Sequence, residues 1–118
     1  MRFTIDASAA TPPFEQLRVQ VRDAVAAGEL VAGAKLPTVR ALAEQLGLAV
    51  NTVARAYREL ETDGIIETRG RAGSFVAPQG DAGQQQAQLA ARAYVDQARR
   101  LGLDDAAALD LVRAAQRG

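Results

Sequence analysis

The chain has 118 residues, of which 48% are hydrophobic, so it can form one compact domain with an appendage and is too apolar to be disordered. It contains no cysteine and no histidine, which excludes disulfides, thiolate chemistry, imidazole bases and nearly all zinc sites. Its 14 basic residues are balanced by 14 acidic ones, so binding to nucleic acid would depend on where the arginines cluster rather than on net charge.

No targeting signal is visible in the sequence. No apolar run is long enough to cross a bilayer, and residues 1–6 lack the apolar core of a signal peptide. We therefore expect a cytoplasmic protein with no membrane partner. The chain begins at Met1 and ends at Gly118 without an obvious cut site, so we expect it to be full length.

The first 37 residues predict one helix between two short extended pieces. Residues 3–6 alternate between apolar and polar side chains, which predicts a short N-terminal strand. Thr11-Pro12-Pro13 marks the start of a helix, and Gly28 is a plausible residue to follow its end. Residues 35–37 predict a second extended piece.

Two short helices joined by a tight turn are predicted next. Thr38 is a suitable N-cap for a helix over residues 39–46, and Gly47 ends that helix. A third helix opens near Asn51 and reaches about Asp63. These spacings favour a helix-turn-helix, and a generic helical hairpin is the alternative.

A basic hairpin follows the helix pair. Strands are predicted over residues 65–68 and 74–76, and the loop between them carries Arg69 and Arg71 on either side of Gly70. A helix pair followed directly by such a ribbon is typical of the winged helix, whose ribbon reaches the DNA backbone or minor groove. Taken alone, the loop could equally be a solvated turn.

The outward face of the third helix carries residues that suit contacts with DNA. Opposite its apolar stripe, the helical period places Asn51, Arg55, Arg58 and Thr62. Asparagine can pair with adenine, and arginine with guanine or phosphate. Each arginine alone could belong to a solvated face, but they occur together on three consecutive elements. The residues that we expect to contact DNA on these grounds are Arg40, Asn51, Thr52, Arg55, Arg69 and Arg71.

These motifs together resemble the N-terminal domain of GntR-family regulators over about residues 3–77. The segments that carry the resemblance are Pro13–Leu17, Gly28–Leu30, Gly33–Arg40, Asn51–Glu61, Gly64–Gly70 and Gly73–Val76. The resemblance implies a dimeric repressor that binds a palindromic operator, with the same six contact residues and Gly70 in the wing. Many relatives carry Ser-Arg or a proline where this chain has Ala49-Val50, and an arginine there often contacts DNA, which Val50 cannot do, so the resemblance leaves the operator sequence open.

The last 40 residues predict a two-helix arm. A helix over about residues 84–101 ends at Gly102-Leu103, and Asp104 can cap a final helix. A 4-3-4-3 spacing on the first of them indicates a coiled-coil-like seam. A short arm of this kind resembles the YtrA subfamily, in which it mainly makes the dimer. The residues predicted for dimerisation are Ala87, Ala91, Tyr94, Ala98, Leu101, Leu109 and Val112, and packing against the first domain is the alternative.

The sequence therefore predicts an α+β fold, mostly α, with a winged helix-turn-helix domain over residues 1–78 and a helical dimerisation arm over residues 79–118. We expect a homodimeric transcription regulator that places helix 51–63 in the major groove and wing 69–73 beside it. A winged-helix module that binds proteins, or the N-terminal part of a larger ligand-responsive regulator, are the alternatives. We expect no enzymatic activity, metal or cofactor, because no nucleophile–base pair, phosphate loop or metal cluster is present; an effector is left open.

Overall fold

The computed structural model describes residues 2–118, which form two compact units. The first unit ends at Gln79, and the second is Gly80–Gly118. The mostly helical α+β fold class predicted from the sequence is confirmed. The elements in chain order are α1 (Pro13–Ala26), α2 (Val39–Leu46), α3 (Val50–Thr62), β1 (Ile66–Thr68), a 3₁₀ turn (Gly70–Ala72), β2 (Ser74–Val76), α4 (Ala82–Arg100) and α5 (Asp105–Arg117).

The core of the first unit lies where the first three helices meet the hairpin. α3 packs against both α1 and α2, and its last turns contact β1. The apolar side chains between these elements are removed from water, and this burial is the main stabilising contribution to the unit. The largest fully buried side chains are Leu17, Leu42, Leu60, Ile66, Val21, Val53 and Val76.

The helix-turn-helix forms as the sequence predicts. The Thr38 side chain accepts a hydrogen bond from the Ala41 N–H at 3.1 Å, which caps α2. Gly47 has a φ of +68°, a left-handed conformation that glycine adopts without strain and that turns the chain towards α3. α3 begins at Val50, one residue earlier than predicted, after an Ala49 whose side chain cannot cap it.

The predicted N-terminal strand is wrong, although residues 3–6 alternate as expected, with Phe3 buried. The backbone of Thr4 is paired by the side-chain amide of Gln20, which accepts from its N–H at 3.0 Å and donates to its carbonyl at 2.7 Å. Gln16 pairs with Asp6 in the same way, at 2.8 and 2.9 Å. Two glutamines one helical turn apart on α1 thus occupy the positions of a neighbouring strand.

The hairpin is an antiparallel pair in which Glu67 lies opposite Phe75. β1 begins one residue after the predicted start, and the loop contains the 3₁₀ turn. The extended piece predicted over residues 35–37 is also present. Lys35 forms a bridge with Phe75, and the Leu36 N–H donates to the Ser74 carbonyl at 2.9 Å, so this piece runs beside β2.

The second unit is a helical hairpin with well-capped ends. The predicted cap on α5 is confirmed, since Asp104 accepts from the Ala107 N–H at 2.8 Å. The predicted end of α4 is confirmed too, because Gly102 has a φ of +84° and the Leu103 N–H donates to the Ala98 carbonyl at 3.0 Å. Within residues 2–118, no helix is long and apolar enough to cross a membrane.

Candidate nucleic-acid interface

The outward face of α3 begins with an exposed polar end. Its buried stripe of Val53, Ala56, Tyr57 and Leu60 turns the opposite side to solvent. Asn51 is exposed in the first turn, and the neighbouring Thr52 is half-buried. The predicted base-reading position Asn51 is therefore accessible at the N-terminal end of the helix, where a recognition helix contacts base edges.

Tyr57 braces α3 against the start of α2. Its hydroxyl donates to the Pro37 carbonyl at 2.7 Å, immediately before the Thr38 cap. The side chain is only 6% exposed, and this burial raises the pKa of Tyr57 to about 12. The bond holds the N-terminal end of α2, and with it Arg40, in a fixed place relative to α3.

Three arginines on α2, α3 and the wing are exposed to solvent. Arg40 lies in the first turn of α2, Arg58 in α3, and Arg71 in the 3₁₀ turn of the wing. None of the three forms a side-chain hydrogen bond or an ion pair with another residue in the described part of the chain. Their charges are thus available to an anionic partner.

Arg55, in contrast, is folded back towards α1. Its guanidinium carbon lies 3.7 Å from the centroid of the Phe14 ring, a cation–π contact. Its Nε lies 3.7 Å from a carboxylate oxygen of Glu59, and the other oxygen of Glu59 lies 3.8 Å from Arg18. The side chain stays 56% exposed, so the contacts orient Arg55 without burying it.

Arg18 is the cation that balances the carboxylates between α1 and the end of α3. It hydrogen-bonds Glu15 and lies 3.7 Å from Asp63. The hydrogen bonds from Arg18 lower the pKa of Glu15, and those same bonds raise the pKa of Arg18. Arg18 therefore serves the packing of α1 on α3, and its charge is not free for a ligand.

The wing holds its two arginines differently. Arg69 donates from Nε to Glu67 at 3.0 Å, and its guanidinium carbon lies 4.4 Å from the centroid of the Phe75 ring. Arg71 follows at the tip. Gly70, between the two arginines, has a φ of +53°, so its role in the structure is to allow the turn.

Lys35 is a cation beside the hairpin that the sequence analysis did not include among the candidate DNA contacts. It is exposed beside Phe75, and its Cε lies 3.3 Å from where a Cβ on Gly73 would stand. The pairing of Lys35 with Phe75 joins residues 40 positions apart, so no local sequence pattern predicts it. Lys35 adds a cation to the same face of the hairpin as Arg69.

Positive charge is in excess from Lys35 to Arg58, whereas the end of α3 and β1 carry the carboxylates of Glu59, Glu61, Asp63 and Glu67. Residues 35–58 carry four cations, namely Lys35, Arg40, Arg55 and Arg58, and a single carboxylate, Glu44. A local excess of this kind attracts phosphate irrespective of the net charge. Only this segment of the balanced chain has such an excess, so the cations within it suit a phosphate.

The residues predicted for dimerisation fall into two groups. Ala98 is almost completely buried within the chain, and Tyr94 is half-buried with its hydroxyl donating to the Ala108 carbonyl at 2.7 Å. Leu89 and Leu111, which the seam did not include, are exposed as well, and Leu111 lines an apolar groove with Tyr94, Val112, Ala115 and Gln116. The predicted residues that remain exposed are Ala87, Ala91, Leu101, Leu109 and Val112.

Comparison with known proteins identifies the family. The model for "Bacterial regulatory proteins, gntR family" matches residues 13–76, from the start of α1 to the end of β2. The chain belongs to the gntR family. As a member of it, the protein is a DNA-binding transcription regulator with a winged helix-turn-helix, as the resemblance implied.

Relatives of this gntR-family protein are named as regulators and not as enzymes. The chain is 56% identical over 99 residues to the HTH-type transcriptional regulator Rv1152 of Mycobacterium tuberculosis, covering 84% of this chain and 81% of that protein. It is 45% identical over 74 residues to the HTH-type transcriptional repressor YtrA of Bacillus subtilis, covering 62% of this chain and 56% of YtrA.

The arm also has a counterpart among solved structures of the family. The structure of YtrA from Sulfolobus acidocaldarius, a GntR-family transcription factor, matches 98% of this chain and 97% of its own, with a TM-score of 0.62 and 27% identity. The likeness extends over both units, which agrees with the predicted winged helix followed by C-terminal helices.

Proposed function

We propose that this gntR-family protein is a homodimeric repressor that binds a palindromic operator, with residues 1–78 contacting DNA and residues 79–118 making the dimer. The observation that carries the proposal is the exposed Asn51 at the N-terminal end of α3, together with Arg40 on α2 and Arg71 in the wing, which are exposed and have no side-chain partner within residues 2–118. An exposed asparagine at the start of α3 suits base edges in a major groove, and exposed arginines on the neighbouring elements suit the phosphates that border it.

The proposed contacts divide into base-reading and phosphate-binding ones. α3 lies in the major groove, where Asn51 pairs with adenine and Thr52 and Arg55 contact neighbouring groups. Arg40, beside the N-terminal amides of α2, binds a phosphate. The wing, through Arg69, Gly70 and Arg71, follows the adjacent minor groove or backbone.

The second copy of the chain is the proposed occupant of the groove on the arm. Leu111 is 53% exposed and Val112 37%, and packing them against a second copy would remove these apolar side chains from water. Two winged units at fixed spacing gain affinity for two half-sites without any new contact with DNA. The name of the Bacillus relative, a transcriptional repressor, supports the same direction of regulation.

Selection of DNA fragments by the pure protein, followed by sequencing and titration, tests the proposal. We expect fragments with two-fold symmetric half-sites, bound with a steep dependence on salt. Binding should place two chains on each fragment, as measured by mass. Enrichment of no sequence at low salt, or of single half-sites by a monomer, would contradict it.

A further inference from the structure

The face of the wing that carries Arg69 is built across the hairpin. Glu67 and Phe75 are directly opposed in the β1–β2 register, and Arg69 follows Glu67 by two residues, the spacing that returns a side chain to the same face. The Arg69 guanidinium donates to the carboxylate through Nε and Nη2, and it stacks on the ring 4.4 Å from its centroid.

Among the residues that the structure describes, none occupies the remaining side of the Arg69 guanidinium. Both bonds to Glu67 come from Nε and Nη2, so the Nη1 side of the fork can donate to another acceptor. The Arg69 side chain is 45% exposed, which gives such an acceptor access. Because the ring and the carboxylate already restrict its rotamers, Arg69 loses less conformational freedom on binding than Arg71, whose side chain has no partner within residues 2–118.

The Glu67 carboxylate has no use in simple attraction to phosphate. A negative charge in a DNA-facing wing repels the backbone and lowers the affinity for every sequence alike. The Glu67 carboxylate favours DNA binding only where the direction of the Arg69 side chain matters. That is the case when the wing distinguishes one DNA sequence from another.

We propose that Glu67 and Phe75 are positioning residues that hold Arg69 in one direction, so that the wing contributes to sequence discrimination as well as to phosphate binding. This inference rests on the proposed function, since it concerns how the wing reads DNA. It assigns Arg69 and Arg71 different work: Arg69 discriminates between sites, and Arg71 binds phosphate on any of them.

The test combines Glu67→Gln with a control of equal charge, Glu44→Gln. Glu44 is exposed on α2 and makes no side-chain hydrogen bond or ion pair in the part of the chain that the structure describes. In the free protein, the Arg69 Nε–Hε signal should be observable and slow to exchange with water, and Glu67→Gln should accelerate that exchange while Glu44→Gln should not. Phe75→Leu should also accelerate the exchange of this proton, whereas Phe75→Tyr, which keeps the aromatic ring, should leave the exchange slow.

The matching binding experiment compares the selected DNA fragment with a scrambled fragment of the same length. Both glutamine variants should bind the scrambled fragment more tightly, because each removes a negative charge. Only Glu67→Gln should lower the ratio of affinities for selected over scrambled DNA, by about ten-fold, which lies within the range that one mismatched base pair costs in a specific site.

Two outcomes would overturn the inference: fast exchange of the Arg69 signal in the wild-type protein, or equal ratios for Glu67→Gln and Glu44→Gln. A different result would show that the proposed function itself is wrong, because the wild-type protein would then prefer no DNA fragment at all. The exchange measurement needs no DNA, so it tests the contacts of Arg69 with Glu67 and Phe75 independently of the proposed function.

Discussion

The side-chain amide of Gln20 pairs with both backbone groups of Thr4, as a neighbouring strand would. Replacing Gln20 by leucine removes both bonds and should lower the free energy of unfolding by about 1 kcal/mol, since Thr4 is exposed and water can replace part of the pairing. Urea denaturation measures the change. Gln45→Leu on α2 is the control, because Gln45 is exposed and forms no such pairing; equal effects of the two substitutions would contradict the role of Gln20.

The stability of the first unit should fall above pH 10 because of Tyr57. Its pKa is raised from 10.0 to about 12 in the folded protein, so folding favours the protonated phenol. The stabilisation is complete below pH 10 and is lost as the pH rises to 12, with an upper limit of about 2.7 kcal/mol. Urea midpoints across this window should fall less steeply for Tyr57→Phe than for the wild type. Parallel curves would show that the phenol is not buried as described.

Arg40 and Arg71 should contribute to the salt dependence of DNA binding. Each is exposed and unpaired among the described residues, so each can neutralise one phosphate. Substituting either by alanine should reduce the slope of log K against log salt concentration by about 1. Arg22→Ala on α1, which removes an exposed cation beside Asp23, should leave the slope unchanged. A smaller slope for Arg22→Ala as well would mean that the effect is one of overall charge.

Arg55 should combine a structural and a binding role. Arg55→Ala removes the contact with Phe14 and should cost about 0.5–1 kcal/mol of stability, the value for an exposed cation–π pair. Phe14→Leu should cost stability too, while leaving the Arg55 charge in place for DNA. Titrations with the selected fragment should show a greater loss of affinity for Arg55→Ala than for Phe14→Leu. Equal losses would make Arg55 a purely structural residue.

The groove on the arm should govern the oligomeric state. Leu111→Asp places a charge in the groove, whereas Ala106→Asp places the same charge on an exposed position of α5 that does not line it. Sedimentation should show monomers for Leu111→Asp at concentrations where the wild type and Ala106→Asp are dimers. Helical content should stay the same in both variants, since both side chains are exposed. Dimers of all three proteins would place the interface elsewhere.

Local signals determine the elements that the sequence predicts well. Thr38, Gly47 and Asp104 act within one or two helical turns, and each is found in the predicted role. The alternation in residues 3–6 predicts a strand, and the structure has none there. The alternation cannot tell that the partner of Thr4 is a side chain of α1 rather than a strand, because either would satisfy the same two groups.

The candidate site is predicted less completely, because it depends on long side chains and distant pairings. The helical period places Arg55 on the outward face of α3, but the side chain is long enough to reach back to Phe14. Lys35 joins the wing only through its pairing with Phe75. Such contacts between residues far apart in the chain leave no periodic pattern in the sequence.

The hydrogen bond from the Thr68 hydroxyl to Glu61, at 2.8 Å, connects the base of the wing to the last turns of α3. Together with the packing of β1 on α3, this bond holds the wing at a fixed position relative to α3. In a half-site, the bases that contact α3 and those that contact the wing would then have to lie at one fixed spacing. Inserting one base pair between the bases that face α3 and those that face the wing rotates them relative to each other by about 35°, and the protein could follow only by bending the DNA.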